Sequence, residues 1–329
     1  MNAWLWPRLI AGQLETPSDD VLVGIGSLIK ADLGKVPGRK VIFGTGSGYG
    51  ALPLSSEIAD WRIYCVRGPL TAKLLGLSPD KAVVDAAWLV DQLPEFRYQP
   101  DRSREGTVFV PHWTTDLYAN WRQPCADAGI RYVSPFDEGK AVLDAIAGAR
   151  LAIVESLHGA IMADYYRVPW IPVATDDRVL EFKWLDFCLS LDLPFRPIRL
   201  PVTDAMERFF VRRPKPWSGS IEYLREPCEA DFAAVPKARQ TPVTFRYRAA
   251  IKLKKIARPV RAGLLSCIAA MRASRPYRKS FGEESVRLAG LLDAISREPS
   301  YLSSDAVRQE RIDRLVATLD KFRADFPPR

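Results

Sequence analysis

The sequence predicts an α/β protein with two successive domains, each built on a parallel β-sheet. Short apolar runs alternate with helix-like stretches over residues 21–90, and the same alternation resumes over residues 107–173. This order is typical of βαβ units. Between the two series, residues 91–105 are polar and contain two prolines, as a linker would. Because the chain of 329 residues is also longer than one ordinary domain, we expect two Rossmann-like domains that face each other across a cleft.

The elements of the first series follow from apolar runs that end in glycine or in charged residues. The helix after the third run has Pro69 in its first turn and Gly76 at its C-terminal cap, which are the positions that these residues favour. The predicted strands are 21–25, 40–43, 61–66 and 82–84, and the predicted helix is 69–76.

The second series repeats the pattern with longer helices. An aromatic-rich helix follows Asp176 and is expected to pack back onto the body. The predicted strands are 107–110, 131–133, 151–154 and 170–173, and the predicted helices are 118–128, 139–148 and 159–166. The resulting domain limits are 1–104 and 105–200, followed by a proline-rich irregular segment, 201–240, and a basic, amphipathic helical extension, 241–329.

The cysteine pattern and the targeting segments indicate in which cellular compartment the protein is expected. The five cysteines are scattered without Cys-x-x-Cys spacing, which indicates a reducing compartment and predicts neither disulfides nor a bound metal. No signal peptide is recognisable, and the longest apolar run near the C-terminus, 263–271, is too short to span a bilayer. We expect a cytoplasmic protein.

Positive charge is concentrated in one segment. Residues 237–279 contain 13 Lys and Arg residues and no Asp or Glu, so the rest of the chain is net negative although the whole carries +8. From Phe245 to Met271, apolar residues recur every three or four positions, as on one face of a helix. Such a helix suits an anionic membrane surface, which we expect residues 241–279 to contact. The alternatives are a helix packed on the body and a disordered basic extension. The aromatic residues of the segment are scattered, which does not favour nucleic-acid binding. The final helix, 305–326, is expected to fold back onto the body or to self-associate.

The two histidines of the chain are the first candidates for catalysis. His112 and His158 each follow a predicted strand, and ligands of open α/β sheets collect where strands end. Imidazole is suited to proton transfer near neutral pH. Ser156 and Gly159 flank His158 where a helix begins, so backbone N–H groups are expected to bind substrate beside it. The alternative for either histidine is a purely structural position.

Anion binding is predicted at a glycine-rich loop and at an arginine. The loop has glycine at every second position of 44–50, so Gly44, Gly46, Ser47 and Gly48 are candidates to cradle a phosphate or carboxylate. Arg67 precedes the helix that starts at Pro69, so its guanidinium and the helix N-terminus are expected to converge on one anion. Asp85 ends an apolar run and is a candidate to orient a hydroxyl or a basic side chain. The alternatives are a turn that makes room for a neighbouring loop, a surface arginine paired with a carboxylate, and a helix N-cap at Asp85.

Several stretches together resemble the polysaccharide pyruvyl transferase family, and within it the branch that forms ketals on succinoglycan-type exopolysaccharides. The resemblance covers roughly residues 1–195 and is carried by residues 67–75, 84–87, 155–164 and 168–171. It implies a fold of the glycosyltransferase B type and the transfer of pyruvate from phosphoenolpyruvate to two hydroxyls of a sugar. By motif, Arg67 and His158 correspond to phosphoenolpyruvate-site residues, and His112 does so less firmly.

The resemblance also implies the partners of the reaction. Phosphoenolpyruvate is the donor substrate, no separate cofactor is expected, and the acceptor is a lipid-linked oligosaccharide at the inner face of the inner membrane, where the protein would be peripheral. Many members have arginine where this chain has Ser156, and members usually place a strand before the helix at which this chain begins. We therefore expect an N-terminal domain without its first strand, through a late recorded start or a true loss.

Two other functions compete with this one. A nucleotide-sugar-dependent glycosyltransferase would share the two-domain architecture. A catalytically inactive scaffold docked at the membrane would fit the shortened N-terminus.

Overall fold

The computed structural model describes residues 1–13, 19–48, 50–175, 180–210, 217–232, 263, 266–268, 270–272 and 274–327. Most of the predicted membrane-contacting segment, 241–279, therefore lies outside the described residues. No helix within the described ranges is both long and apolar enough to cross a membrane.

The N-terminal part forms a three-stranded parallel sheet. Its elements are α1 (Asn2–Leu9), β1 (Asp20–Val23), β2 (Arg39–Phe43), α2 (Ser55–Ala59), β3 (Arg62–Cys65) and α3 (Pro69–Leu74), with 3₁₀ helices at Ala31–Lys35, Pro79–Lys81, Ala86–Gln92 and Pro94–Phe96. The strand order is β1-β2-β3, with Val21 opposite Lys40 and Val41 opposite Arg62.

The middle part forms a five-stranded parallel sheet in the order β5-β4-β6-β7-β8. Its elements are β4 (Thr107–Val110), α4 (Trp113–Tyr118), α5 (Arg122–Asp127), β5 (Arg131–Tyr132), α6 (Gly139–Ala147), β6 (Leu151–Val154), α7 (Leu157–Tyr165), β7 (Trp170–Ala174), α8 (Glu181–Ser190), β8 (Ile198–Arg199) and α9 (Ala205–Phe210). The predicted α/β class with parallel sheets is confirmed.

The C-terminal part adds helices to both sheets. A 3₁₀ helix at Glu229–Phe232 is followed by α10 (Arg275–Ile295) and α11 (Asp305–Asp325). The apolar face of α10 joins the core cluster on one side of the five-stranded sheet. The apolar residues of α11 join a second core cluster that includes residues of both sheets. The final helix therefore folds back, which was one of the two predicted outcomes.

The structure differs from three sequence-based predictions of local structure. Residues 82–84 form no strand, because only Ala82 bridges to Val66 before the chain turns into a 3₁₀ helix. The helix predicted at 118–128 is found as the shorter α5, because Pro124 fits only the first turn of a helix and α5 therefore begins at Arg122. The segment 201–240, predicted to be irregular, contains α9.

Candidate active site

A cavity of about 570 Å³ lies at the carboxyl ends of the strands of the five-stranded sheet. This volume is within the range of small-molecule sites, about 300–1,000 Å³. The loop after β1 closes the cavity on the side of the other sheet, with Gly26, Ser27 and Leu28 in its wall. Parallel sheets commonly bind ligands at this edge, because the loops that follow neighbouring strands converge there.

The strand order brings the two histidines together. His112 follows β4 and His158 follows β6, and both side chains line the cavity. These strands are hydrogen-bonded neighbours, with Val110 opposite Val154. Neighbouring strands lie about 4.8 Å apart, so the prediction that both histidines belong to one site agrees with their placement. Their catalytic roles stay predictions.

His158 is the second residue of α7, and its ring is exposed to the cavity while lying deep among protein atoms. Desolvation lowers the pKa of His158 to about 4, and the positive charges of Lys183, Arg67 and the N-terminal ammonium of Met1 act in the same direction. The imidazole is therefore neutral at neutral pH in the ligand-free protein. An anion in the cavity would offset these positive charges and favour the protonated imidazole.

His112 is held in place by a buried glutamate. Its backbone N–H donates to Glu155 Oε2 at 2.9 Å, and its Nδ1 lies 2.7 Å from Thr114 Oγ1. The other oxygen of Glu155 accepts the backbone N–H of Thr175 at 3.2 Å. Glu155 thus connects the ends of three strands, and it fixes the loop that carries His112.

Ser156 and Gly159 are also in the cavity wall. Ser156 is the N-cap residue of α7, and its backbone N–H donates to Val110 at 3.2 Å. A Cβ on Gly159 would lie 3.1 Å from Val110 Cγ1, so glycine lets α7 approach β4 closely. The first-turn N–H groups of a helix have no partners within it, so this end of α7 favours an anion.

Lys183 is a cavity residue that the sequence analysis missed. It lies on α8, is 6% exposed, and lines the cavity near His158, whose pKa it lowers. Its neighbours Phe182 and Trp184 are buried core residues, so a lysine between them carries no sequence signal of a ligand site.

Arg67 lies behind the cavity wall and does not line it. Its guanidinium is fully buried, and Nε donates to Asp186 Oδ2 at 3.2 Å. Nη1 donates to Ser27 Oγ at 3.0 Å, and Nη2 donates to the carbonyl of Ser47 at 3.1 Å. In this geometry Arg67 positions the Gly26–Ser27 loop, and its role as an anion ligand stays a prediction. The distance from Nη1 to the carbonyl oxygen of Gly26 is 3.5 Å, and a Cβ on Gly26 would lie 4.0 Å from the His158 ring. Arg67 and His158 therefore belong to one region, with a single loop between them.

The glycine-rich loop is packed around this arginine. Gly44, Gly46, Ser47 and Gly48 are buried, and none of them is in the cavity wall. Gly44 has a φ of 69°, and a Cβ there would lie 2.5 Å from Ala86 Cβ. A Cβ on Gly46 would lie 2.3 Å from Arg67 Nη2. These contacts explain the glycines as room for neighbouring groups, which was the alternative to anion binding.

Asp85 is the N-cap of the 3₁₀ helix Ala86–Gln92, since its Oδ1 accepts the N–H of Ala87 at 3.0 Å. It is fully buried and outside the cavity wall. Desolvation raises the pKa of Asp85 to about 6, although the nearby positive charge of Arg67 opposes the rise. The N-cap alternative fits this geometry.

No group of three or more His, Cys, Asp or Glu side chains that could hold a metal ion occurs among the described residues.

These features define an α/β protein with a small-molecule cavity at the carboxyl edge of a parallel sheet. The sequence profile of the polysaccharide pyruvyl transferase family matches residues 2–177, which is more than half of the chain. The chain belongs to this family and is a polysaccharide pyruvyl transferase, as its motifs predicted. It is 34% identical over 337 aligned residues to the succinoglycan biosynthesis protein ExoV of Rhizobium meliloti (strain 1021), covering 99% of this chain and 95% of that relative. No solved structure matches the chain.

Proposed function

We propose that the protein transfers the pyruvate skeleton of phosphoenolpyruvate to two hydroxyls of one sugar in an exopolysaccharide repeat unit, forming a pyruvate ketal. The observation that carries this proposal is the cavity in which His158, Lys183 and the N-terminal end of α7 converge. The proposal is supported by the similarity to a protein of succinoglycan biosynthesis.

The cavity offers what the donor requires. Phosphoenolpyruvate brings a phosphate and a carboxylate, so a site for it needs positive charge and N–H donors. Lys183 supplies the charge from α8, and the first turn of α7 supplies oriented N–H groups. Both lie within a cavity partly shielded from water, where electrostatic interactions are stronger than in bulk solvent.

The chemistry can be written with the two histidines. Bound donor carries negative charge toward Lys183 and His158, which favours the protonated imidazole of His158. His158 then protonates the methylene carbon of the donor and leaves an oxocarbenium-like centre at the neighbouring carbon. One sugar hydroxyl attacks this centre and gives its proton to His112. The bond between this carbon and the phosphate oxygen then breaks, and phosphate departs with the proton from His112. The second hydroxyl attacks the same carbon and returns its proton to His158, which closes the ketal. Each positioned acid or base typically contributes about 10²–10⁴-fold to the rate.

Finer features of the fold and partners belong to the same proposal. The two parallel sheets would form the two halves of a glycosyltransferase B arrangement with the cavity between them. The reaction would need phosphoenolpyruvate and no separate cofactor. The acceptor would be lipid-linked, and the basic segment 241–279 would bring the protein to the anionic inner face of the membrane.

The direct test is release of phosphate from phosphoenolpyruvate in the presence of a lipid-linked oligosaccharide extract. We expect release by the wild-type protein and loss of at least 100-fold in the His158→Ala variant, because the proton donor is removed. Lys183→Met should raise the KM for phosphoenolpyruvate, and Lys73→Met is the matched control, since Lys73 is 69% exposed on α3 and lies outside the cavity wall.

Two outcomes would contradict the proposal. Turnover of His158→Ala within a few-fold of wild type would remove the assigned proton donor. Binding of a UDP-sugar without binding of phosphoenolpyruvate would favour the nucleotide-sugar glycosyltransferase instead.

A further inference from the structure

The cavity has two chemically different ends, and the strand order defines them. Along the carboxyl edge of the sheet the strands follow the order β5-β4-β6-β7. The cavity residues after these strands are Asp137, His112 with Trp113, His158, and Lys183, respectively. Three strand spacings of about 4.8 Å separate the first position from the last. The carboxylate and the tryptophan thus stand at one end, the lysine at the other, and the two histidines between them.

The end beyond His112 does not suit the anionic donor. Asp137 has the charged side chain of the cavity wall at this end, and its carboxylate would repel a phosphate or carboxylate. The donor is therefore expected at the Lys183 end, which leaves the Asp137 end for the second substrate.

This end does suit a neutral sugar. The Trp113 side chain is 44% exposed, which is unusual for the largest amphipathic side chain, and it lies in the cavity wall. Its ring centroid is 5.7 Å from that of His112. A pyranose has one face of C–H groups, which packs on an aromatic ring, and a rim of hydroxyls, which need hydrogen-bond acceptors.

Asp137 can provide such an acceptor. It is exposed, and its Oδ2 accepts the backbone N–H of Ser134 at 3.1 Å, which orients the carboxylate. An ionised carboxylate has about four lone-pair sites, so one backbone bond leaves capacity for sugar hydroxyls.

We propose that Trp113 and Asp137 form the acceptor-sugar subsite, with the sugar ring stacked on Trp113 and its hydroxyls bound by Asp137. The stacked sugar would present hydroxyls to His112, and the donor would meet them from the His158 side. The assignment rests on the proposed function, because it takes the second substrate to be a sugar.

The test uses a succinoglycan repeat-unit oligosaccharide from which the ketal has been removed by mild acid. Saturation-transfer difference NMR on the full-length protein should show contact with the C–H protons of one sugar face. Trp113→Ala should abolish this signal, Trp113→Phe should retain part of it, and Asp137→Asn should weaken it. Phe136→Ala is the matched control, because Phe136 is 60% exposed in the same loop as Asp137 but lies outside the cavity wall.

Kinetics separate a subsite from a merely structural effect. Trp113→Ala should raise the KM for the oligosaccharide about tenfold, in line with the loss of one aromatic contact, and leave the KM for phosphoenolpyruvate within twofold. An unchanged NMR signal in Trp113→Ala, no oligosaccharide binding by the wild type, or an equal rise in both KM values would overturn the subsite. A wild-type protein that binds the oligosaccharide but not phosphoenolpyruvate would instead overturn the proposed donor and leave the subsite standing.

Discussion

At the scale of single residues, the state of His158 is set by its surroundings. Desolvation and the charges of Lys183, Arg67 and the N-terminal ammonium of Met1 all disfavour the imidazolium, which lowers the pKa from its ordinary value of 6.5 to about 4. An imidazole with such a pKa carries no proton at neutral pH in the ligand-free site. An anionic ligand would offset the three positive charges but not the desolvation, so we expect anion binding and protonation of His158 to be coupled.

This coupling predicts a proton uptake that NMR can measure. The Cε1–H signal of His158 should titrate with a midpoint near pH 4 in the free protein and at higher pH with phosphoenolpyruvate bound. Since the midpoint rises on binding, the complex should take up a proton between these two pH values. The chain has only two histidines, so a His112→Gln variant assigns the signals. A free-protein midpoint near 6.5 would contradict the prediction.

At the scale of elements, α8 connects the two sheets. It carries Lys183 into the cavity, and one turn later it carries Asp186, whose Oδ2 accepts Arg67 Nε at 3.2 Å and Thr71 Oγ1 at 2.7 Å. Arg67 in turn binds the loop that closes the cavity. Breaking a buried ion pair from one side is costly, because the remaining charge is left uncompensated. The pair therefore fixes the position of Lys183 relative to the Gly26–Ser27 loop.

A single methyl group should disturb this connection. Gly46→Ala places a Cβ 2.3 Å from Arg67 Nη2, in a core where the guanidinium has no room to move. We expect a loss of about 1–3 kcal/mol in the free energy of unfolding, measured by urea denaturation. The control is Gly290→Ala in α10, where a Cβ meets nothing within 4 Å. This change should stabilise the helix by up to about 1 kcal/mol. An equal free energy of unfolding in the two variants would show that the Arg67 guanidinium moves away from the added methyl group at little cost.

Features with a local signal could be predicted from the sequence, and features made by distant contacts could not. The strands 107–110 and 151–154 are found as predicted, because an apolar run bounded by turn residues is visible in sequence. Both histidines lie in the cavity for the same reason, since strand ends mark the edge where ligands bind. The burial of Arg67 beside Asp186 could not be predicted, because the two residues are 119 positions apart in the sequence. Lys183 was missed because only the docking of α8 brings it to the cavity.

At the scale of the whole molecule, the C-terminal helices are part of the globular core. Leu315, Leu319 and Phe322 of α11 are buried with residues of both sheets. The hydroxyl of Tyr64 donates to Asp325 at 2.6 Å, which joins α11 to β3. Removal of everything after residue 236 would strip both long helices from the core. A test of membrane contact by the basic segment must therefore leave the chain at full length.

The basic segment should be tested by charge neutralisation in the intact protein. We expect the variant with Lys252, Lys254, Lys255 and Arg258 replaced by Gln to lose at least tenfold in affinity for vesicles containing phosphatidylglycerol, because each basic residue near an anionic surface contributes about 1 kcal/mol. Cosedimentation with the vesicles at two salt concentrations measures this affinity, since screening weakens only the electrostatic part of the binding.

The control variant carries the same charge loss at four exposed positions of the body, Lys30, Lys35, Lys73 and Arg297. An equal loss in both variants would assign the attraction to total charge, and unchanged binding of the first would remove the segment from membrane contact. A loss of vesicle affinity in the first variant alone would show that the basic segment before α10 contacts the anionic surface. The segment would then hold the cavity near the membrane, where a lipid-linked acceptor is expected.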